Sequence, residues 1–147
     1  MNKKAREKID DMTLTQLENF DWGEPRIDSS IVKRCFRLRH KKIGSMSLDD
    51  LRTLVLQQIG LEFLIPKVID LLKENPLAIA DYYAGDLFHA VLSINPDFYD
   101  INPKYRVAVL GILESARSGY GELKDYERNI SVEAIEEAAV KFLAKQA

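Results

Sequence analysis

The segment SLDDLRTLVLQQIG carries the clearest helix signal in the chain, because both of its ends match the residue preferences of helix boundaries. Ser47, followed three residues later by Asp50, matches the pattern of a capping box with the shorter acid. Apolar residues then recur at helical spacing, which predicts a helix from Leu48 to Ile59. Gly60 is placed to end this helix in a left-handed cap.

The next segment, LEFLIPKVIDLLKEN, is apolar on nearly every side, which predicts a helix buried at the centre of the fold. Pro66 lacks the amide proton that an interior position donates, so it must lie in the first turn of this helix or kink it. Asn75 and Pro76 then close the helix.

Shorter patterns predict the remaining helices. They are predicted as a short helix where the apolar signal begins at Leu14, before a loop over FDWGEP, and as helices from Ser29 or Ser30, from Asp86, from Asn102 and Pro103 to about Gly119, and from Ser131. Loops are predicted at residues 95–97 and 119–129. No strand pattern extends over more than a few residues, so the sequence predicts an all-α fold of about six to eight helices.

The length of 147 residues, with 46% hydrophobic residues, fits one buried core and is too short for a second independent domain. Residues 1–12 are charge-rich, which predicts a frayed or disordered leader before a single helical domain over residues 13–147. Cys35 is the only cysteine, and no apolar run is long enough for a signal peptide or a membrane span. We therefore expect a cytoplasmic protein that does not interact with membranes.

Residues that could support catalysis or bind a metal ion are few and scattered. His40, His89 and Cys35 lie far apart in sequence, without paired metal-ligand spacing. Asp86 and His89 are neighbours on a predicted helix, but capping that helix is the commoner role of such an acid. No nucleophile elbow surrounds any serine, so no catalytic residue and no metal site are predicted. A small helical enzyme is retained as the third of three hypotheses for this chain, after the two set out below. It would need acids or histidines to converge in a cleft.

Basic residues cluster in and just after one predicted helix. They are Lys33, Arg34, Arg37, Arg39, Lys41 and Lys42, with Phe36 and His40 among them. Such a cluster is either a footprint for RNA or DNA or, more commonly, the solvated face of an amphipathic helix. The formal net charge of -2 provides no global field that attracts phosphate. A nucleic-acid-binding regulator that uses residues 33–42 is therefore a second hypothesis.

The opposite composition occurs between Glu74 and Pro103, where acids and aromatic rings accumulate without any lysine or arginine. Tyrosines beside unpaired carboxylates are typical of a surface that recognises a basic protein, because rings anchor its centre and acids steer the encounter. The alternative is that the rings fill the core and the acids cap helices and loops. Composition alone leaves both interpretations open.

Three stretches of this chain resemble one known family. They are LENFDWGEP, RLRHKKIGSMSLDDLRTLVLQQIGLEFLIPKVIDLLKENPL and DYYAGDLFHAVL. Over about residues 17–95 they are similar to the immunity proteins of bacterial contact-dependent growth inhibition (CDI) systems, of the CdiI type. The motifs expected of that family stand at Asp50 to Arg52, Gln57 to Leu61, Pro66, Asn75 to Leu77, and Tyr83 to Leu87. Ala84 and Phe88 depart mildly from the family pattern.

The resemblance implies an all-α cytoplasmic protein, without catalysis or a cofactor, that binds and neutralises the C-terminal toxin domain of its own system. Such a toxin is commonly a nuclease, whose active site is basic because it must attract phosphate. An inhibitor that bears carboxylates can occupy this site as a substrate mimic, and no direct contact with nucleic acid is expected. The residues predicted to contact the toxin are Asp81, Tyr82, Tyr83, Asp97, Tyr99 and Asp100.

Overall fold

The fold is described by a computed structural model, which covers residues 2–146. Over these residues the chain forms nine α-helices and no strand. The helices are α1 Lys3–Asp10, α2 Leu14–Glu18, α3 Ser30–Leu38, α4 Leu48–Leu56, α5 Leu61–Glu74, α6 Asp86–Leu92, α7 Pro96–Ile101, α8 Pro103–Gly119 and α9 Asp125–Gln146, with short 3-10 helices at Ile43–Ser45 and Tyr120–Glu122. The predicted all-α class is confirmed. The helix count is higher than predicted, partly because α7 replaces an expected loop.

The chain divides into two compact units, over residues 1–67 and 68–147. Helix α5 begins in the first unit and ends in the second. Pro66 lies inside this helix and not in its first turn, so the carbonyl group of Glu62 receives no hydrogen bond from residue 66. Among the described residues, no helix combines the length and the apolar character that crossing a bilayer requires.

The start of helix α4 follows from its capping chemistry. The hydroxyl oxygen of Ser47 accepts a hydrogen bond from the amide of Asp50 at 3.0 Å, and the Asp50 carboxylate accepts one from the amide of Ser47 at 3.0 Å. This is the predicted capping box. The same carboxylate binds Arg34 of helix α3 at 2.9 Å and Lys41 at 2.7 Å, so it joins the start of α4 to the segment before it.

The Asp50 carboxyl group is expected to make stability depend on acid pH. Burial raises its pKa, but hydrogen bonds from Lys41, the Ser47 amide and Arg34 outweigh burial and lower the pKa to about 2. Because the unfolded value is about 3.9, the stabilisation is complete above about pH 4 and is lost as the pH falls through about 2. In urea unfolding, wild type should lose about 2 kcal/mol more than Asp50→Asn between about pH 5 and pH 2. The exposed Asp11→Asn variant controls for the removal of one charge, and equal losses in wild type and Asp50→Asn would contradict this role.

The end of helix α4 lies at Leu56, earlier than the predicted Ile59. Gln58 adopts the left-handed backbone conformation, with φ 56°, and the amide of Ile59 donates to the carbonyl oxygen of Leu54 at 2.9 Å. These are the features of a Schellman motif, which the sequence pattern placed at Gly60. The prediction was therefore right about the type of cap and wrong about its position.

The Arg39 side chain is the largest fully buried one in the first unit, at 1% exposure. Its guanidinium pairs with Glu18, donates to the carbonyl oxygen of Phe20 at 2.6 Å and lies 4.3 Å from the centroid of the Trp22 ring. A buried cation is tolerated only where such partners satisfy it. Arg39 therefore ties the segment after α2 to the end of α3, and it does not belong to a solvated basic face.

The core of the second unit forms where helices α6 and α9 pack together. Leu87, Phe88 and Val91 of α6 are fully buried, as are Ile135 and Ala139 of α9. Burial of each large apolar side chain contributes about 1.5–3 kcal/mol relative to exposure. The inward positions predicted for these five residues are confirmed.

Helix α9 begins at Asp125, before the predicted N-cap Ser131. Ser131 instead lies inside the helix, fully buried, and its hydroxyl has no hydrogen-bond partner among the described residues. Arg128 stabilises the earlier start, because its guanidinium donates to the carbonyl oxygens of Tyr120 and Leu123. The predicted loop before Ser131 is therefore mostly helical.

Candidate protein-binding surface

The segment between α5 and α6 folds around one buried carboxylate. The Asp86 side chain is fully buried and accepts hydrogen bonds from the backbone amides of Ala80 at 2.7 Å, Asp81 at 3.0 Å and Tyr82 at 2.8 Å. Three successive amides that donate to one carboxylate fix the backbone of the residues that carry them. We call residues 79–82 the anchored loop.

Gly85 binds the two residues that precede the anchored loop. Its amide donates to the carbonyl oxygens of Leu77 and Ala78, both at 3.2 Å, and its backbone is left-handed, with φ 86°. Glycine suits this backbone conformation, and a Cβ atom here would lie 2.5 Å from Cδ1 of Ile135, so any side chain would force the buried isoleucine to shift. Hydrogen bonds of Gly85 and Asp86 thus fix the chain on both sides of Ile79: Gly85 binds residues 77 and 78, and Asp86 binds residues 80 to 82.

The anchored loop exposes its large side chains. Ile79 is 51% exposed and Tyr82 is 69% exposed, and Asp81 is exposed between them. An aromatic ring and an apolar side chain beside a carboxylate, on an ordered backbone, are typical of a recognition hot spot. Tyr83 is only half-buried, and its ring centroid lies 6.5 Å from that of His89.

Two more of the predicted carboxylates lie on helix α7. Asp97 is exposed in its first turn. Asp100 is also exposed, but it accepts a hydrogen bond from Arg106 at 2.6 Å. This arginine lies just beyond the stretch without lysine or arginine, so it compensates part of the negative charge on α7.

Tyr99 does not belong to this surface. Its side chain is 0% exposed, and its hydroxyl donates to the carbonyl oxygen of Val91 at 2.7 Å. Its ring packs edge-on against Phe142, with centroids 5.3 Å apart, and burial raises the pKa of its phenol. The prediction that Tyr99 contacts a partner is therefore wrong, and the alternative that such rings fill the core holds for this residue.

The basic cluster over residues 33–42 is largely engaged within the chain. Its ion pairs join Lys33 to Asp28, Arg34 to Asp49 and Asp50, Arg39 to Glu18, and Lys41 to Asp50. Among the described residues the structure records no ion pair for Arg37 or Lys42. A cation that already has a carboxylate partner attracts phosphate less, so the cluster is a weaker nucleic-acid footprint than its composition suggests.

Groups for metal or nucleophilic chemistry do not converge in the part of the chain that the structure describes. Within residues 2–146 there is no group of three His, Cys, Asp or Glu side chains that could hold a metal ion. Asp86, which could have paired with His89 on a metal, is occupied by the amides of the anchored loop. Cys35 is buried, and this burial raises the pKa of its thiol, which disfavours the reactive thiolate.

Sequence patterns did not predict two features of residues 79–86. Asp86 was expected to cap α6, but the N-cap residue is Gly85 and the carboxylate binds the loop before it. An acid directly after a glycine and before an apolar helix can either cap that helix or bind the amides of the preceding loop, and the sequence does not distinguish the two. Ile79 lies outside any helical repeat of apolar residues, so no sequence pattern predicts whether its side chain is buried, and the structure shows it 51% exposed.

A known family matches the greater part of this chain. Residues 16–109 match the family described as CDI immunity proteins, and this segment includes the anchored loop and helix α7. Neither the curated proteins nor the solved structures give a significant match. The family match agrees with the resemblance carried by the sequence motifs. The chain therefore belongs to the family of CDI immunity proteins, and its function is immunity against a CDI toxin.

Proposed function

We propose that this protein neutralises the C-terminal toxin domain of its own CDI system by covering the basic surface at which that toxin, a nuclease, binds nucleic acid. The complex forms in the cytoplasm of the protected cell. Inhibition needs no cofactor, no metal ion and no reaction on the immunity protein. The observation that carries this proposal is the anchored loop, which exposes Tyr82 and Asp81 on a backbone fixed by Asp86.

Tyr82 supplies the anchor of the proposed interface. Most of its side chain is exposed, while its amide is bound to the buried Asp86 carboxylate at 2.8 Å. A partner that buries this side chain loses little free energy to ordering, because the backbone is already fixed. Truncation of a central tyrosine in an interface commonly costs about 2 kcal/mol or more.

Exposed carboxylates supply the electrostatic part of the interface. Asp81, Asp97 and Asp100 all reach solvent in the second unit. Opposite charges accelerate the encounter with a basic toxin and disfavour wrong partners. Immunity requires a nanomolar complex or tighter, about 12 kcal/mol, which a standard-sized interface with a few buried anchors provides.

The contact surface is tested by the Tyr82→Ala variant. We expect it to bind the toxin domain encoded immediately upstream at least about tenfold more weakly than wild type, measured by calorimetry with a catalytically inactive toxin. Phe20→Ala is the matched control, because that ring is 64% exposed in the first unit, and its affinity should stay within about threefold. Wild-type affinity for both Tyr82→Ala and the double variant Asp81→Asn/Asp97→Asn would contradict the assignment of this surface.

The nuclease and occlusion parts of the proposal need a separate assay. Purified toxin domain is incubated with RNA and with DNA, and one equivalent of this protein is expected to stop cleavage and to displace the nucleic acid. A toxin that cleaves neither polymer, or that still binds nucleic acid in the complex, would contradict these parts and leave immunity itself intact. Salt-sensitive binding of nucleic acid by the free immunity protein would instead support the regulator hypothesis.

A further inference from the structure

Helix α9 carries a stripe of solvent-facing residues. This α9 stripe consists of Tyr126, Ile130, Glu133, Glu137 and Val140. At about 100° of rotation per residue the five positions fall within an arc of about 80°, and at about 1.5 Å of rise per residue they extend over about 21 Å. Tyr126 is 66% exposed, Ile130 is 55% exposed and Val140 is 68% exposed.

The opposite side of α9 is the packed side of the helix. Ile135 and Ala139 are fully buried and Phe142 is 3% exposed. Because these side chains form the core with α6, rotation of the helix would expose them, so the α9 stripe stays in solvent. Single exposed apolar residues are common on any protein, but here three lie on one line of the same helix with carboxylates between them, so they offer a partner both apolar and charged contacts.

The charge of the α9 stripe indicates what kind of partner fits it. Glu133 and Glu137 lie among the apolar side chains, and the structure records no ion pair for either among the described residues. The neighbouring Glu136, in contrast, is bound by Arg117 at 2.8 Å. Lys141 lies at the edge of the stripe, about 60° from its centre. A complementary partner therefore presents lysine or arginine beside apolar pockets.

The α9 stripe also lies outside the segment that matches the family. That segment ends at residue 109, within α8, whereas α9 begins at Asp125. We propose that the α9 stripe is a second docking surface for the toxin domain of the same system, and that it binds a basic, partly apolar region of that toxin. This inference rests on the proposed immunity function and adds to it a contact surface that the family pattern does not describe.

The experiment compares two double variants with the same change in composition and charge. Glu137→Lys/Val140→Ser alters the α9 stripe, and Val107→Ser/Glu114→Lys alters the outer side of α8, where Val107 is 70% exposed and Glu114 is exposed. Both are tested against the inactive toxin domain by calorimetry and against the active toxin by cell survival. Circular dichroism melts check that both variants fold. We expect the α9 variant to bind at least about tenfold more weakly, and the α8 variant within about threefold of wild type.

Each other outcome overturns the inference in a distinguishable way. Equal affinities of the two variants for a toxin that binds wild type would show that the α9 stripe is not a docking surface, and the proposed function would stand. No binding of wild type to the toxin would overturn the proposed function and this inference together. A free wild-type dimer that becomes a monomer in the α9 variant, measured by light scattering, would show that a second copy of this chain covers the stripe.

Discussion

Replacing Asp86 with alanine is expected to lower the free energy of unfolding by about 4 kcal/mol, because three backbone amides lose their acceptor at once. The variant should also lose order in the anchored loop, since no other carboxylate is recorded as an acceptor for the amides of Ala80, Asp81 and Tyr82. Urea unfolding measures the stability change. Hydrogen exchange at these three amides, slow in wild type and fast in the variant, measures the loss of order.

Two further variants separate this anchoring role from a general effect of charge. Asp86→Asn keeps the shape and one acceptor oxygen, so its loss of stability should be about half as large. Asp97→Ala removes an exposed carboxylate from the same unit and should change stability by less than about 0.5 kcal/mol. If Asp86→Ala were no less stable than Asp97→Ala, the anchored loop would not depend on Asp86.

The Arg39→Ala variant is expected to lose about 4 kcal/mol of stability as well, because it leaves a void at a fully buried position and removes the hydrogen bonds of the guanidinium. Glu18 would lose its partner, and the carbonyl group of Phe20 would lose a donor. Trp22 is the only tryptophan, and the guanidinium lies over its ring, so its fluorescence should shift to the red as the segment loosens. Denaturant unfolding followed by this fluorescence tests both expectations.

Neighbouring substitutions provide the controls for Arg39. Arg37→Ala removes an exposed arginine two residues away and should leave stability within about 0.5 kcal/mol of wild type. Arg39→Lys keeps the charge but lacks the planar guanidinium, so an intermediate loss is expected. A fully stable Arg39→Ala protein with unchanged tryptophan emission would show that the buried Arg39 side chain does not hold this segment in place.

Local signals in the sequence predicted the helix starts that depend on local chemistry. The capping box at Ser47 is present as expected, and of the two serines predicted as possible caps of α3 the structure uses Ser29. Each cap joins atoms of residues only three positions apart. The left-handed residue that follows helix α4 is nevertheless Gln58, although Gly60 offers the better cap on propensity alone. Gly60 is also left-handed, but it lies directly before α5, where a Cβ atom would be 2.6 Å from the side chain of Leu14. That long-range contact cannot be read from neighbouring residues.

The composition of the candidate surface was predictable from the sequence, but the solvent exposure of its individual residues was not. Tyr82 and Tyr99 both lie in a stretch without basic residues, yet the first is 69% exposed and the second is 0% exposed. Burial of Tyr99 depends on Phe142, which is distant in sequence. The sequence did not predict the exposed stripe on α9, because a helix that starts at Ser131 excludes Tyr126 and Ile130.

The hydrogen bonds of Asp86 have a consequence for genetic screens of protection. In a selection for cells that survive the toxin, substitutions at the buried Asp86 should be lost together with those at Tyr82. Only Tyr82 is exposed enough to contact the toxin directly. A map of intolerant positions will therefore overstate the footprint of the toxin. Scoring cellular protein abundance beside survival separates residues that touch the toxin from residues that only shape the loop.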